Sequence, residues 1–302
     1  MTDTTAPADP NAAVRLHPRA TLVGGGLPVK RVLPAAARRH VGPFVFFDHF
    51  GPVTVPPELD TDVGPHPHIG LATVTYLFEG AMLHRDSLGN ELVIAPGAVN
   101  WMSAGRGIVH SERTPPALIG QPRPLHGLQL WVALPVAAEQ GEPSFQHVAA
   151  VDIPQLSAQG TAVRVLVGEA FGVRSPVVAA SPTLYLDIAL RAGQPFTLPA
   201  LAEELAVYSP VAPVFVDGEP LPPGEMAVLA RHAGAVLHSE ADTHLVVVGG
   251  APLDGPRTIW WNFVASERVL IDQAAALWAA GGFEAVKGET ARLSMPPRTG
   301  IA

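Results

Sequence analysis

From Leu22 to about Leu134, short apolar runs alternate with turn residues, among them Gly24-Gly25-Gly26, Gly51-Pro52, Pro56-Pro57, Ser87-Leu88-Gly89-Asn90 and Pro96-Gly97. Runs such as 72–78 and 128–132 are β-branched or aromatic and of strand length, so they predict strands. The same rhythm returns at 163–167, 183–190, 206–210, 214–216, 226–229 and 245–248. Strand following strand, with turns rather than helices between, predicts an all-β chain built as a sandwich or barrel. One late segment differs. Residues 265–280, including Gln273-Ala-Ala-Ala-Leu-Trp278, have helix-forming composition, and Gly281-Gly282 ends them.

These patterns divide the chain. Residues 1–20 read as a loose Ala- and Pro-rich arm, 21–136 as a first β unit, 137–160 as a polar linker, 161–255 as a second β unit and 256–302 as an extension carrying the helix. The units share an echo. Pro96-Gly97 leads to His110-Ser111-Glu112, and Pro223-Gly224 leads to His238-Ser239-Glu240 with one residue more between. A duplicated β unit accounts for both the echo and the rhythm.

Composition sharpens this. Pro (32) and Gly (29) make up about a fifth of the 302 residues, against about 12% ordinarily, which suits short strands and turns better than long helices. Lys and Arg total 19 against 27 Asp and Glu, a net charge of −8, so the basic footprint of a nucleic-acid binder is missing. No apolar run approaches the ~18 residues of a membrane span. The opening residues, with Asp3 and Asp9 and no basic or apolar region, do not read as a signal peptide. A soluble cytoplasmic protein is expected. With no Cys in the chain, thiolate chemistry is excluded and any metal must sit on His, Asp or Glu.

Two segments carry such ligands, Gly64-Pro65-His66-Pro67-His68 and Gly107-Ile108-Val109-His110-Ser111-Glu112. Residues two apart on a strand share a face, so His66 pairs with His68 and His110 with Glu112. On facing walls of one barrel, three imidazoles and a carboxylate would form a site for a divalent transition metal, with positions left for water, substrate or dioxygen. Other features read as structural or solvated. Gly24-Gly25-Gly26 with Lys30 lacks the following Ser or Thr of a phosphate loop, and Arg38-Arg39-His40 is too short for a nucleic-acid patch. Asp48-His49 reads as packing with Phe47 and Phe50. Trp101 and Met102 could line a cavity or simply fill the core, and His84 and Asp86 could either support a ligand imidazole or stabilise their turn. His232 and His244 are expected in solvent.

The stretch from Arg31 to Pro135 resembles the pirin family. The residues that carry the likeness are Gly42-Pro-Phe-Val-Phe-Phe-Asp-His-Phe-Gly-Pro52, Pro65-His-Pro-His68, Thr73-Val-Thr-Tyr-Leu77, His84-Arg-Asp-Ser-Leu-Gly89, Asn100-Trp-Met-Ser-Ala-Gly-Arg-Gly-Ile-Val-His-Ser-Glu112 and Gly127-Leu-Gln-Leu-Trp131. The resemblance implies two tandem cupin barrels, with a metal in the N-terminal one held by His66, His68, His110 and Glu112. That metal is usually iron, with Mn, Co, Ni, Cu or Zn as alternatives. It further implies a quercetin 2,3-dioxygenase-like enzyme acting with O2 on a flavonol or related enediol; Glu112, the one ligand able to accept a substrate hydroxyl proton, would serve as base. The alternatives are a non-enzymatic, metal-responsive regulator that binds a protein partner, and a metal-dependent isomerase. The chain departs from the family at Ile69-Gly-Leu-Ala-Thr73, where Arg-Gly-Phe-Glu-Thr is usual, which predicts a more apolar neighbourhood around the metal. His238 and Glu240 find no His-x-His partner, only Tyr185-Leu-Asp-Ile-Ala189, so the C-terminal cupin reads as metal-free.

Overall fold

The computed structural model describes residues 12–297. Apart from one 3-10 turn, Pro116–Leu118, the regular elements among them are short strands and a single α-helix, Arg268–Ala279. The strands form two barrels, each made of a seven-stranded and a four-stranded sheet. In the first barrel the large sheet runs Ser144–Val148, Val99–Ser103, Leu71–Glu79, Arg123–Ala133, Phe44–Val55, Leu27–Leu33 and Arg19–Val23. Its small sheet runs Val63–His68, Ile108–Arg113, Met82–Asp86 and Glu91–Ile94. The second barrel repeats the plan. Its large sheet runs Val14–Leu16, Met226–Val228, Glu204–Tyr208, Thr243–Gly250, Thr183–Leu190, Thr161–Val167 and Gln155–Ala158, and its small sheet Phe196–Leu198, Ala235–His238, Val214–Val216 and Glu219–Leu221. The predicted duplication and all-β class are both present.

Period-2 alternation decides what each large sheet does with its two faces. On Arg123–Ala133, Leu128, Leu130 and Val132 enter a core shared with Val246, Val248, Tyr185 and Tyr208 of the second barrel. Gln129 and Trp131 of the same strand turn into the first barrel. Leu245 and Val247 likewise turn into the second barrel's own core. The two large sheets are therefore packed back to back, each with one face given to the seam.

Polar groups stitch that seam. Tyr76 Oη donates to Asp187 Oδ2 at 2.6 Å, and Arg164 Nη1 donates to Tyr76 Oη at 2.8 Å. His49 Nδ1 lies 2.7 Å from Tyr208 Oη, and His49 Nε2 lies 2.9 Å from His126 Nε2. Asp187 also accepts from His244 Nδ1 at 2.8 Å. His244, expected in plain solvent, is thus an exposed residue whose ring is anchored to a buried carboxylate.

Two connecting segments are more structured than their composition suggests. Residues 1–11 of the predicted arm lie outside the described residues, but Val14–Leu16 pairs with Met226–Val228. Leu16, only 2% exposed, enters the shared core. An open sheet edge offers unpaired backbone groups that a crossing strand can satisfy, and this is how the N-terminal segment is fixed to the second barrel. The predicted linker holds Ser144–Val148, which pairs with Val99–Ser103, and Gln155–Ala158, which pairs with Thr161–Val167.

The helix falls inside the predicted 265–280 and buries Ile271, Ala274, Ala275 and Trp278. Ile271, Ala274 and Ala275 pack with Trp260, Phe263 and Ile69, so the C-terminal extension is seated on the first barrel, beside the strand that carries His68.

Candidate metal centre

His66 stands directly opposite His110 in the antiparallel pairing of Val63–His68 with Ile108–Arg113, and His68 opposite Ile108. His66 and His68 share a face because one residue separates them. The result is three buried imidazoles whose ligand nitrogens all lie within 4.8 Å of one another, with His68 Nε2 only 3.1 Å from His110 Nε2.

Backbone carbonyls set two of the tautomers. His66 Nδ1 donates to Gly64 O and His68 Nδ1 to Asn262 O, each at 2.9 Å. In a neutral imidazole the other nitrogen then carries only a lone pair, so both Nε2 atoms face the cluster bare. Burial keeps them neutral. It lowers His66 to about 4 and takes His68 and His110 well below the ordinary range, with the neighbouring imidazoles adding to the effect on those two. A neutral imidazole with Nδ1–H held by a carbonyl is the form in which histidine binds a metal. The residues fit a transition-metal ion: the three histidines could hold one, and an N/O donor set suits iron, manganese, cobalt, nickel, copper or zinc.

Glu112 lines the same cavity but is not gathered into the three-histidine cluster. Between His110 and Glu112 the register slips, so that Glu112 pairs with Val63 rather than with the next residue in step after His66. Such an irregularity re-aims a side chain. The carboxylate has no hydrogen-bond partner among the described residues, and burial pushes it up to about 7, as desolvation disfavours its charged form.

The cluster sits at one wall of a cavity of about 560 Å³. Apolar walls come from Leu27, Val29, Phe46, Phe50, Trp131 and Trp261, and polar groups from Arg31, Asp48, Arg123 and Gln129. Arg31 Nε and Nη2 grip Asp48 at 2.8 and 2.7 Å, and the guanidinium lies 4.4 Å over the Phe46 ring. Phe46 stacks on Trp131 at 4.0 Å, and Trp131 meets His68 edge-on at 5.3 Å. Asp48, read from sequence as packing, is therefore part of the cavity wall, while its neighbour His49 points to the seam. The alternation of the strand separates them. Burial raises Asp48 despite its cation.

Other sequence expectations divide. Trp101 and Met102 are buried in core clusters rather than along the cavity. Asp86 accepts from Leu88 N, Asn90 N and Asn90 Nδ2 and so holds its turn, while His84, 3.0 Å from Asp86, packs 5.4 Å from the His110 ring. Ile69 and Ala72 do not make the cavity more apolar as predicted. Ile69 packs under the C-terminal segment and Ala72 in the seam core, because neither shares the inward face of His68.

The C-terminal contribution, Trp261 and Asn262, was not legible in sequence. It depends on Gly70, whose φ is +66° and whose absent Cβ would lie 2.0 Å from Val264 O. Glycine alone permits both that backbone and that approach. Val264 N then donates to Ile69 O at 3.2 Å, and Leu293 N to Pro65 O at 2.8 Å, which holds the extension over the cavity.

The second barrel shows what the same plan becomes without the histidines. In its small sheet Phe196 pairs with Leu237 and Leu198 with Ala235, the places taken in the first barrel by His66 with His110 and His68 with Ile108. All four residues of that second pairing belong to an apolar core. The equivalent of the His-x-His strand is thus Phe196–Leu198, not the 185–189 segment. His238, the echo of His110, comes one residue late, which turns a strand side chain to the opposite face. Its ring lies against Phe215.

Comparison with known proteins agrees with this architecture. The pirin family matches residues 26–132, and the pirin C-terminal cupin domain matches residues 185–284. A pirin-like protein of Caulobacter vibrioides is 45% identical over 260 residues, covering 85% of this chain and 90% of that one. Human pirin is 33% identical over 277 residues, covering 87% and 91%. The crystal structure of a quercetin 2,3-dioxygenase from Acinetobacter baumannii superposes with a TM-score of 0.88 at 33% identity, covering 96% of this chain and 98% of that one. With the matched regions covering the first barrel and most of the second together with the C-terminal helix, and the histidines gathered in the first, the chain belongs to the pirin family.

Proposed function

We propose that the protein is an Fe(II)-dependent dioxygenase that opens a flavonol or a related enediol, with His66, His68, His110 and Glu112 as the metal ligands and Glu112 as the base. The observation that carries this reading is the convergence of three neutral imidazoles at the wall of a cavity that Phe46, Phe50, Trp131 and Trp261 also line. The likeness to the Acinetobacter dioxygenase supports the substrate class. Imidazole and carboxylate together form a donor set suited to iron.

A metal held here supplies Lewis acidity toward an enol oxygen and one-electron chemistry toward dioxygen. The chain's own residues do the rest. Glu112, with no competing hydrogen bond, accepts the proton of the substrate hydroxyl at its carboxylate. Trp131 and Trp261 offer flat apolar surface to an aromatic ring system and exclude water from it. The Arg31–Asp48 pair holds Phe46 in place from behind. The overall reaction adds both atoms of O2 to the flavonol, breaks two carbon–carbon bonds of its central ring and releases carbon monoxide.

Metal analysis of untagged protein purified without chelator, followed by oxygen-electrode assays with quercetin and simpler enediols, tests the proposal. Uptake of one O2 per quercetin with release of carbon monoxide is expected. Iron-loaded protein that consumes no oxygen with any of these compounds would overturn it; product formed without oxygen uptake would indicate an isomerase, and redox-dependent capture of a protein partner without turnover would indicate a regulator.

A further inference from the structure

Three arginines line the cavity, and they are not equivalent. Arg31 is held by Asp48 through two hydrogen bonds. Arg113 is held by Glu289, with Asp62 3.6 Å away. Arg123 has no carboxylate partner among the described residues. It is only 6% exposed, and among the described residues its one side-chain hydrogen bond runs from Nη2 to Thr61 Oγ1 at 2.8 Å. The carboxylates on the adjoining loop are committed elsewhere: Asp60 accepts from Asp62 N, and Asp62 accepts from Thr114 N and Oγ1. A buried cation without a counter-ion is costly unless something supplies the charge. Arg123 stands in a cavity wall, where a ligand can.

We infer that Arg123 anchors a carboxylate at the end of the substrate remote from the metal, so that the substrate is an elongated aromatic enol bearing an acidic group. This rests on the proposed function for the location of the reacting end. Val63 to His66 is extended strand, roughly 10 Å, and Thr61, the residue that Arg123 touches, lies two residues before it, so a ligand in contact with both ends must be elongated. The planar fork of a guanidinium matches a carboxylate through two parallel hydrogen bonds, and the apolar stretch between the ends, including Leu125, Phe50 and Val29, suits linked rings.

The test compares two probes, 3-hydroxyflavone and its 4′-carboxy derivative, by quenching of the fluorescence of the cavity tryptophans in the metal-loaded full chain. The acid is expected to bind roughly 10- to 100-fold more tightly than the neutral parent, the range of a charge-assisted hydrogen-bonded pair. Arg123→Met should abolish that preference and leave binding of the neutral probe within about twofold, while Arg123→Lys should keep part of it. Circular dichroism and thermal melting establish that each variant is folded. Equal binding of the two probes to the unaltered protein, or an undiminished preference in Arg123→Met, would overturn the inference. Failure of the acid to bind metal-loaded protein would overturn it as well. Retained preference for the acid without oxygen consumption would leave the anchor standing and remove the dioxygenase reading instead.

Discussion

His68 Nδ1 donates to the carbonyl of Asn262 at 2.9 Å, across 194 residues of sequence. A histidine of the first barrel is thus oriented by a segment that follows the whole second barrel. Hydrogen bonds of this kind fix the ring and its tautomer, and their loss typically costs 10- to 100-fold in metal affinity.

The bond can be disturbed without touching a ligand. In Gly70→Ala the new Cβ would collide with Val264 O, displacing the backbone that presents Asn262. We expect metal affinity to fall by roughly 10- to 100-fold while the second barrel stays folded. Competition with a chromophoric chelator measures it, and unchanged affinity would show that the Asn262 carbonyl has no bearing on the site.

Removal of a ligand should act more strongly. His110→Ala is expected to lose bound metal to at least that extent. In the unaltered protein, stripping the metal with EDTA should lower the melting temperature by several degrees, since a ligand that binds only the folded state stabilises it by mass action. The variant's melting temperature should no longer respond to EDTA. Bound metal that survives the substitution would mean that the three-histidine cluster is not the site.

Acid should weaken the seam through His49. Its ordinary pKa of 6.5 is lowered by burial to about 3, with His126 and Lys30 adding to the shift. Between these values the unfolded chain binds a proton that the folded chain refuses, so stability falls as pH drops from about 6.5 towards 3 and rises as pH rises. The slope contributed is at most about 1.4 kcal/mol per pH unit. Urea denaturation of His49→Gln, compared with the unaltered protein from pH 7 to 4, should show a shallower pH dependence. Parallel curves would sink this assignment.

Arg31 and Asp48 should prove asymmetric partners. Arg31→Met leaves a buried carboxylate without its cation, a change expected to cost about 3–5 kcal/mol. Adding Asp48→Leu should restore much of the loss, because two apolar groups carry no unpaired charge. A double variant no more stable than Arg31→Met, judged by urea midpoints, would contradict the pairing as the source of the effect.

Much of this molecule is local in origin and could be read along the chain. Strand periodicity is set by neighbouring residues, so the runs near 72–78, 128–132 and 183–190, the late helix and the shared face of His66 and His68 were all legible. The turn glycines and prolines marked where strands end. What the order of residues could not carry was the slip between His110 and Glu112, which depends on a partner strand more than 40 residues away. Nor could it place Asn262, Trp261 or Arg31 beside the histidines, since those contacts exist only once distant strands share one barrel. The seam strand Val14–Leu16 was hidden for the same reason: its apolar residues have no local pattern and gain their meaning from an open sheet edge in the other half. Alternation along a chain fixes which residues face the same way, but only packing decides what they face.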